Sequence, residues 1–165
     1  MSGIISDNVS RSSGLVKSAG GGSIKILEVN DEGTTNGVEN TNVQLTGWGT
    51  ASINDFGEAW SSTNGKLTVA DAGKYFIRFH LDVNHGGNDQ RRINAKIYLD
   101  DVETDLVAYH RFTVDDGVDR FHAIAAGVLD LSASDEITFY FYINDEGQDY
   151  TANSDGSRLT IMKVA

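Results

Sequence analysis

Apolar and polar residues alternate along most of this chain, and a period of two is the mark of a strand with one buried face. The clearest run is residues 74–83. Tyr75, Ile77, Phe79, Leu81 and Val83 fall on one face, with Lys74, Arg78, His80 and Asp82 on the other. Residues 93–100 repeat the pattern, with Ile93, Ala95, Ile97 and Leu99 directed inward. In residues 136–143, Ile137, Phe139, Phe141 and Ile143 oppose Thr138, Tyr140 and Tyr142. Shorter strands are expected at 24–29, 43–46, 66–69, 106–112 and 158–164. Turn signals separate them: Asn36-Gly37, Asn64-Gly65, Asp71-Ala72-Gly73, His85-Gly86-Gly87-Asn88, Asp116-Gly117 and Asp155-Gly156. No segment carries a sustained apolar stripe at helical spacing, and short strands about ten residues apart build a sandwich or a barrel. The expected fold class is all-β, an antiparallel sandwich.

Residues 119–131 depart from simple alternation. Phe121, Ala123, Ala125, Gly127, Leu129 and Leu131 share one face, while Ile124, Ala126 and Val128 make the middle of the other face apolar as well. An antiparallel strand commonly shows one polar face to water, so this one is expected to be covered on both sides. The second cover is either a loop or another subunit, and the small residues Ala125, Ala126 and Gly127 suit close approach of chains around an axis. The last strand repeats the hint, with Leu159 and Ile161 on one face and Met162 and Val164 on the other.

The first 22 residues are different in kind. Ile4, Ile5, Val9, Leu15 and Val16 are their main apolar content, too little to close a core, and Ser12-Ser13-Gly14 and Ala19-Gly20-Gly21-Gly22 loosen the chain. The division expected is an extended arm, 1–22, before a sandwich domain, 23–165. The pairs Ile4-Ile5 and Leu15-Val16 read as anchors for small depressions on a partner; the competing reading is a tail with no role.

Charge, cysteine and glycine content narrow the picture. The net charge of −11 argues against general nucleic-acid binding, which needs basic patches. Residues 1–25 carry Arg11, Lys17 and Lys25 against Asp7, a net +2, which leaves −13 for the remainder. With no cysteine, neither a disulfide framework nor a thiolate zinc site is available. Eighteen glycines and no proline leave the turns to Gly, Asn and Asp. No stretch approaches the roughly 20 apolar residues of a membrane span, and residues 1–14 lack the basic-then-apolar order of a secretory signal.

Two resemblances follow from the order of these elements. Residues 64–69, Asn-Gly-Lys-Leu-Thr-Val, lead through Asp71-Ala72-Gly73 into the aromatic strand beginning Lys74-Tyr75-Phe76-Ile77. Residues 95–103 form a strand with a short polar tip, and residues 127–137 a strand, a polar turn and a further strand. Over about residues 40–165 this resembles the globular heads of the complement first component q subunit and the related tumour-necrosis-factor jelly rolls. Arg158-Leu159-Thr160-Ile161 stands where that family's last strand carries an aromatic-Ser-Gly-aromatic signature, so its ligand sites are not carried over. The resemblance implies two five-stranded sheets and a homotrimer, with the sheet of first, last and central strands facing the axis. On that mapping Phe76, Ile124, Val128 and Met162 are interface candidates. Residues 1–17, in turn, are similar to the opening of many small tailed-phage virion proteins. Together the resemblances imply a bacteriophage virion protein, assembled in the host cytoplasm, whose arm docks through Ile4, Ile5, Leu15 and Val16 on the major capsid protein or another virion protein.

A search for chemistry finds no catalytic constellation: no phosphate-binding loop, nucleophile elbow, His-Glu-x-x-His or dinucleotide fingerprint. No cofactor or metal is expected. His80 and His122 fall on the axis-facing sides of their strands, either as a pH-sensitive or metal-holding contact or as ordinary interface histidines. Asn30-Asp31-Glu32-Gly33 recurs as Asn144-Asp145-Glu146-Gly147, without the ordered ligand spacing of a calcium loop. Tyr140, Tyr142, Tyr150, Trp48 and Trp60 offer either core packing or a sugar-stacking surface. The function these features point to is a capsid decoration (cement) protein; the alternative is a fibre or head-fibre module whose distal loops recognise a host surface glycan.

Overall fold

The computed structural model describes residues 24–30, 35–38, 40–86, 90–113, 118–144, 150–152 and 156–164. The arm, with Ile4, Ile5, Leu15 and Val16, lies outside the described residues, as do both Asp-Glu-Gly repeats. The first sheet contains β1 (Lys25–Asn30), β2 (Thr35–Gly37), β4 (Ala51–Asn54), β7 (Gly73–Gly86), β10 (Val118–Leu131), β12 (Tyr150–Ala152) and β13 (Arg158–Lys163). The second contains β3 (Asn42–Gln44), β5 (Trp60–Ser61), β6 (Lys66–Thr68), β8 (Gln90–Leu99), β9 (Val102–Thr113) and β11 (Glu136–Asn144). A 3-10 turn, Gly57–Ala59, precedes β5.

The short strands continue longer ones, so each sheet is five rows wide. On one side of β7, β13 pairs with residues 75–80 and β12 with 83–84, while β10 runs along the other side. On one side of β11, β6 pairs with 136–138 and β3 with 140–142. The rows are therefore β4, β1, β13, β7, β10 in the first sheet and β5, β6, β11, β8, β9 in the second. Every pairing is antiparallel, and the chain crosses between the sheets after β2, β3, β4, β6, β7, β9, β10 and β11. This is the antiparallel jelly-roll sandwich the sequence led us to expect, with the first, last and central strands in one sheet.

Alternation fixes which faces meet. Tyr75, Ile77, Phe79, Leu81 and Val83 of β7 are almost wholly buried, as are Ile93, Ala95 and Ile97 of β8 and Ile137, Phe139, Phe141 and Ile143 of β11. Leu27 and Val29 of β1 and Leu159 and Ile161 of β13 complete the first sheet's inner surface. At the centre, Phe79 meets Phe139 edge-on across the gap between sheets, ring centroids 5.4 Å apart. Trp48 stacks edge-to-face on both, at 6.3 and 6.0 Å, and on Trp60 at 6.3 Å. Both tryptophans are buried, so they take the core role rather than the sugar-stacking one.

Some local expectations needed the fold to settle them. The strands β2, β4, β5 and β12 were not anticipated, being two to four residues long; runs this short carry too few alternations to read. Asn36-Gly37, a turn signal, lies within β2 and pairs with β12 instead. Ala125 and Gly127 face the sandwich interior, not an axis: a Cβ on Gly127 would strike Leu106, whose side chain occupies that space. Of the three small residues, Ala126 alone is outward and exposed. Between β8 and β9, Asp100 and Asp101 both take positive φ, 49° and 64°, the pattern of a two-residue type I′ hairpin.

Gly65 is the glycine most tightly constrained. Its φ is +58°, and a Cβ there would collide with the Leu45 carbonyl, the same oxygen that accepts the Trp48 indole N–H at 3.2 Å. Gly65→Ala is therefore expected to destabilise the fold by about 2–4 kcal/mol, combining left-handed strain with displacement of the Trp48 plug. Urea unfolding followed by tryptophan fluorescence measures it.

Candidate functional site

The outer face of the first sheet gathers all six interface candidates proposed from sequence, Phe76, His80, His122, Ile124, Val128 and Met162. Register places Met162, Phe76 and Val128 side by side on β13, β7 and β10, and Ile26 of β1 extends the row through its pairing with Met162. Four apolar side chains thus cross four strands. Two pairs further along β10, Ile124 stands opposite His80, and His122 opposite Asp82. Ile124 is 47% exposed and Val128 53%; Phe76, Met162 and Ile26 are half-buried. Ile124 and Val128 are thus the open end of the row among the described residues.

Beyond the apolar row the same face becomes basic and concave. Arg78 and His80 come from β7, Arg158 from β13 opposite His80, and Arg120 and His122 from β10. They surround an open depression of about 490 Å³. Its floor is Asp82, only 1% exposed although it lies on the outward side of β7. The Asp82 carboxylate accepts Arg120 Nη2 at 2.6 Å and Nε at 3.3 Å, and His122 Nδ1 lies 3.5 Å away. Ser157, wholly buried, accepts the Asp82 backbone N–H at 3.0 Å and donates to its carbonyl at 3.3 Å. Gly156 leaves the room this needs, since a Cβ there would overlap the Asp82 carboxylate.

The histidines are neighbours, with rings 5.1 Å apart. Burial, then the positive charge of His122 and Arg78, holds His80 below the ordinary imidazole pKa; Asp82 opposes this and Arg158 reinforces it. His110 Nδ1 contacts the His122 carbonyl at 2.7 Å. Among the described residues no group of three or more His, Cys, Asp or Glu side chains is placed to hold a metal ion.

The second sheet's outer face is organised differently. Tyr98 and Tyr140 stack at 4.2 Å, and Tyr142 carries Arg92 and Lys96 over its ring at 5.8 and 5.4 Å. These side chains cover Asn94, Lys96 and Thr138, which are buried although they point away from the core. Glu103 accepts Lys96 at 2.8 Å and Tyr98 at 3.2 Å. Burial and that hydrogen bond push the Tyr98 phenol up to about 12. Tyr109 remains 64% exposed beside Arg92.

Sequence reading found the apolar and histidine positions of the first face but not Ile26, Asp82, Arg120 or the flanking Arg78 and Arg158. Alternation already put Arg78, His80 and Asp82 on one side of β7; what was missing was the register that brings β10 and β13 alongside.

No protein-family model and no curated protein matches the chain. Solved structures do match in fold. Murine APRIL, in its crystal structure at pH 5.0, aligns with a TM-score of 0.61 at 16% identity, over 86% of this chain and all of that one. The globular domain of zebrafish complement 1qA aligns at 0.58 and 12%, over 87% and 98%. Eiger TNF from S. frugiperda aligns at 0.61 and 12%, over 86% and 93%. The chain therefore has the jelly-roll fold shared by tumour-necrosis-factor-like and complement-q-like domains; at these identities the likeness speaks for the fold alone.

The depressed His80 pKa sets a direction for stability with pH. The unfolded chain takes up a proton near pH 6.5, whereas the folded chain does so only at lower pH. The contribution is fully present above about pH 6.5 and is lost as pH falls through the folded value. Calorimetry between pH 8 and 5 is expected to show a falling Tm whose steepness in this window is reduced by His80→Gln.

Proposed function

We propose that this protein is a non-enzymatic bacteriophage virion component: a homotrimer, joined through the outer face of its first sheet, that decorates the capsid shell by docking its N-terminal arm. The observation that carries the self-association is the uncovered apolar row of Ile26, Met162, Phe76 and Val128, continued by Ile124. Exposed apolar surface of this kind gains roughly 25 cal/mol per Å² when a partner covers it. A second copy of the chain is a suitable partner because the resemblance to complement-q-like and tumour-necrosis-factor-like jelly rolls implies a homotrimer whose axis faces the sheet of first, last and central strands, and because His80 and His122 end the apolar row in a polar rim. Support for the virion role is the likeness of residues 1–17 to tailed-phage virion proteins, the weakly basic arm ahead of a strongly acidic body, and the small size. Arms threaded between neighbouring shell subunits would clamp them, with the major capsid protein as the partner.

A second reading has its own support. The exposed Tyr109, the Tyr98–Tyr140 stack and the cation-flanked Tyr142 form an aromatic, hydrogen-bonding surface on the second sheet suited to a sugar face. On that reading the protein is a fibre or head-fibre module that recognises a host surface glycan, and the tyrosine face rather than the distal loops carries recognition.

Two experiments separate these readings. Val128→Asp would bury an unpaired carboxylate in the interface while leaving the half-exposed position tolerable in a single chain. Sedimentation velocity is expected to change from trimer to monomer with unaltered circular dichroism; a variant that still sediments as a trimer removes this face from the interface. Deleting residues 1–22 is expected to abolish binding to capsid shells without dissociating the trimer, with hundreds of copies of the intact protein per particle. A deletion variant that still binds cells or a glycan array, together with a handful of copies per particle, supports the fibre reading instead.

A further inference from the structure

The basic depression on the first sheet has a composition that neither self-association nor docking through the arm accounts for. Three guanidinium groups, from Arg78, Arg120 and Arg158, face one carboxylate, Asp82, a local charge of +2 before either histidine is protonated. This occurs in a chain whose net charge is −11. Asp82 is already engaged by Arg120 through two hydrogen bonds, which makes Arg120 a fixed wall of the depression. Arg78 and Arg158, by contrast, make no ion pair among the described residues. Besides Asp82, Glu28 of β1 is the acid of this face on the strand beside β13 among the described residues. It pairs in register with Thr160, the partner of Arg78, and so stands two strands from Arg78, about 9–10 Å across the sheet, and diagonal to Arg158 on the neighbouring strand. Its carboxylate makes no ion pair with either arginine.

We infer that this depression is a binding site for a tetrahedral oxyanion, the sulfate or phosphate group of a small ligand, held by Arg78 and Arg158 with His80 and backed by the Asp82-fixed Arg120. Guanidinium forks present paired N–H donors at the spacing of two oxygens on one sulfur or phosphorus. Like charges converging on adjacent strands repel, and a bound dianion relieves that repulsion. The volume of about 490 Å³ admits the group together with the sugar or other carrier to which it is esterified, and lies within the range of ligand clefts. His80 makes the site responsive to pH. His80 is faced by Arg78 and Asp82 on β7, His122 and Arg120 on β10 and Arg158 on β13. An anion seated among these cations favours the protonated His80 imidazole, so binding and proton uptake at His80 reinforce each other.

The site borders the proposed trimer face and shares His80 and His122 with its rim, so its stoichiometry is read per chain in both the wild type and the Val128→Asp variant. Isothermal titration with inorganic sulfate, whose charge is constant over the range used, and separately with a sulfated disaccharide tests it. One site per chain is expected for at least one probe, with affinity at least tenfold weaker in the Arg78→Gln/Arg158→Gln variant. Neither arginine supports the core, and circular dichroism of that variant should match the wild type. From pH 7.5 to 5.5 the affinity should rise at least threefold in the wild type and stay level in His80→Gln/His122→Gln. Tight binding of the disaccharide with weak binding of sulfate identifies an ester carried on a sugar; comparable binding of both identifies the free anion. Absence of saturable binding by either probe, or binding indifferent to the arginine substitutions, overturns the inference.

Discussion

Two sheets about 10 Å apart hold together only if the side chains between them fill the gap, and here that filling centres on Phe79 and Phe139. One belongs to β7, flanked by β13 and β10 in the first sheet, the other to β11, the middle row of the second. Trp48, arriving from the loop after β3, closes the space beside them, and its indole N–H is satisfied by the Leu45 carbonyl. Because these rings lock the inner faces, β7 and β11 cannot slip by one residue without turning phenylalanine to water and Arg78 or Tyr140 into the core. Everything on the outer faces inherits its position from that constraint.

The outer faces then diverge for a reason that lies in their side chains. On the second sheet, long tyrosines fold over shorter polar neighbours, so that Asn94 and Thr138 are buried by residues of their own sheet. That face largely covers itself. On the first sheet the outward residues in the middle of β10 are Ile124, Ala126 and Val128, too short to cover one another or the strand beside them, and the apolar row stays open. The contrast is what leaves an open apolar face on the first sheet and not on the second. Along the same strands Asp82 is an exception to alternation: an outward residue buried by Gly156, Ser157 and Arg120, it ties β7, β10 and the approach to β13 into one polar unit.

Much of this was legible from alternation. β7, β8, β10, β11 and β13 appear where the period-two runs place them, and the inward residues are the ones found buried. The six face residues share one side because each is an outward residue of β7, β10 or β13; Phe76, Ile124, Val128 and Met162 were named through the family mapping, and His80 and His122 through their place on the same side of their strands. The short strands β2, β4, β5 and β12 were not legible, since two to four residues hold no period. Gly127 shows a different failure: a small residue reads equally well as room for a neighbouring chain or for a neighbouring side chain, and the space is taken by Leu106.

By itself the sequence determined the class of fold, the inner and outer side of each long strand, and the unusual apolarity of both sides of β10. These are local properties, set by the two-residue repeat of the extended backbone. What only the tertiary structure decided is which outward residues become neighbours. Arg78, Arg120 and Arg158 are separated by 42 and 38 positions in the chain, and nothing in their surroundings announces that they share a depression. Register does so, and register is set by the packing of aromatic rings on the opposite face. The open face of β10, visible in the sequence as a strand apolar on both sides, thus acquired its row of partners and its basic end only once the sheets had closed.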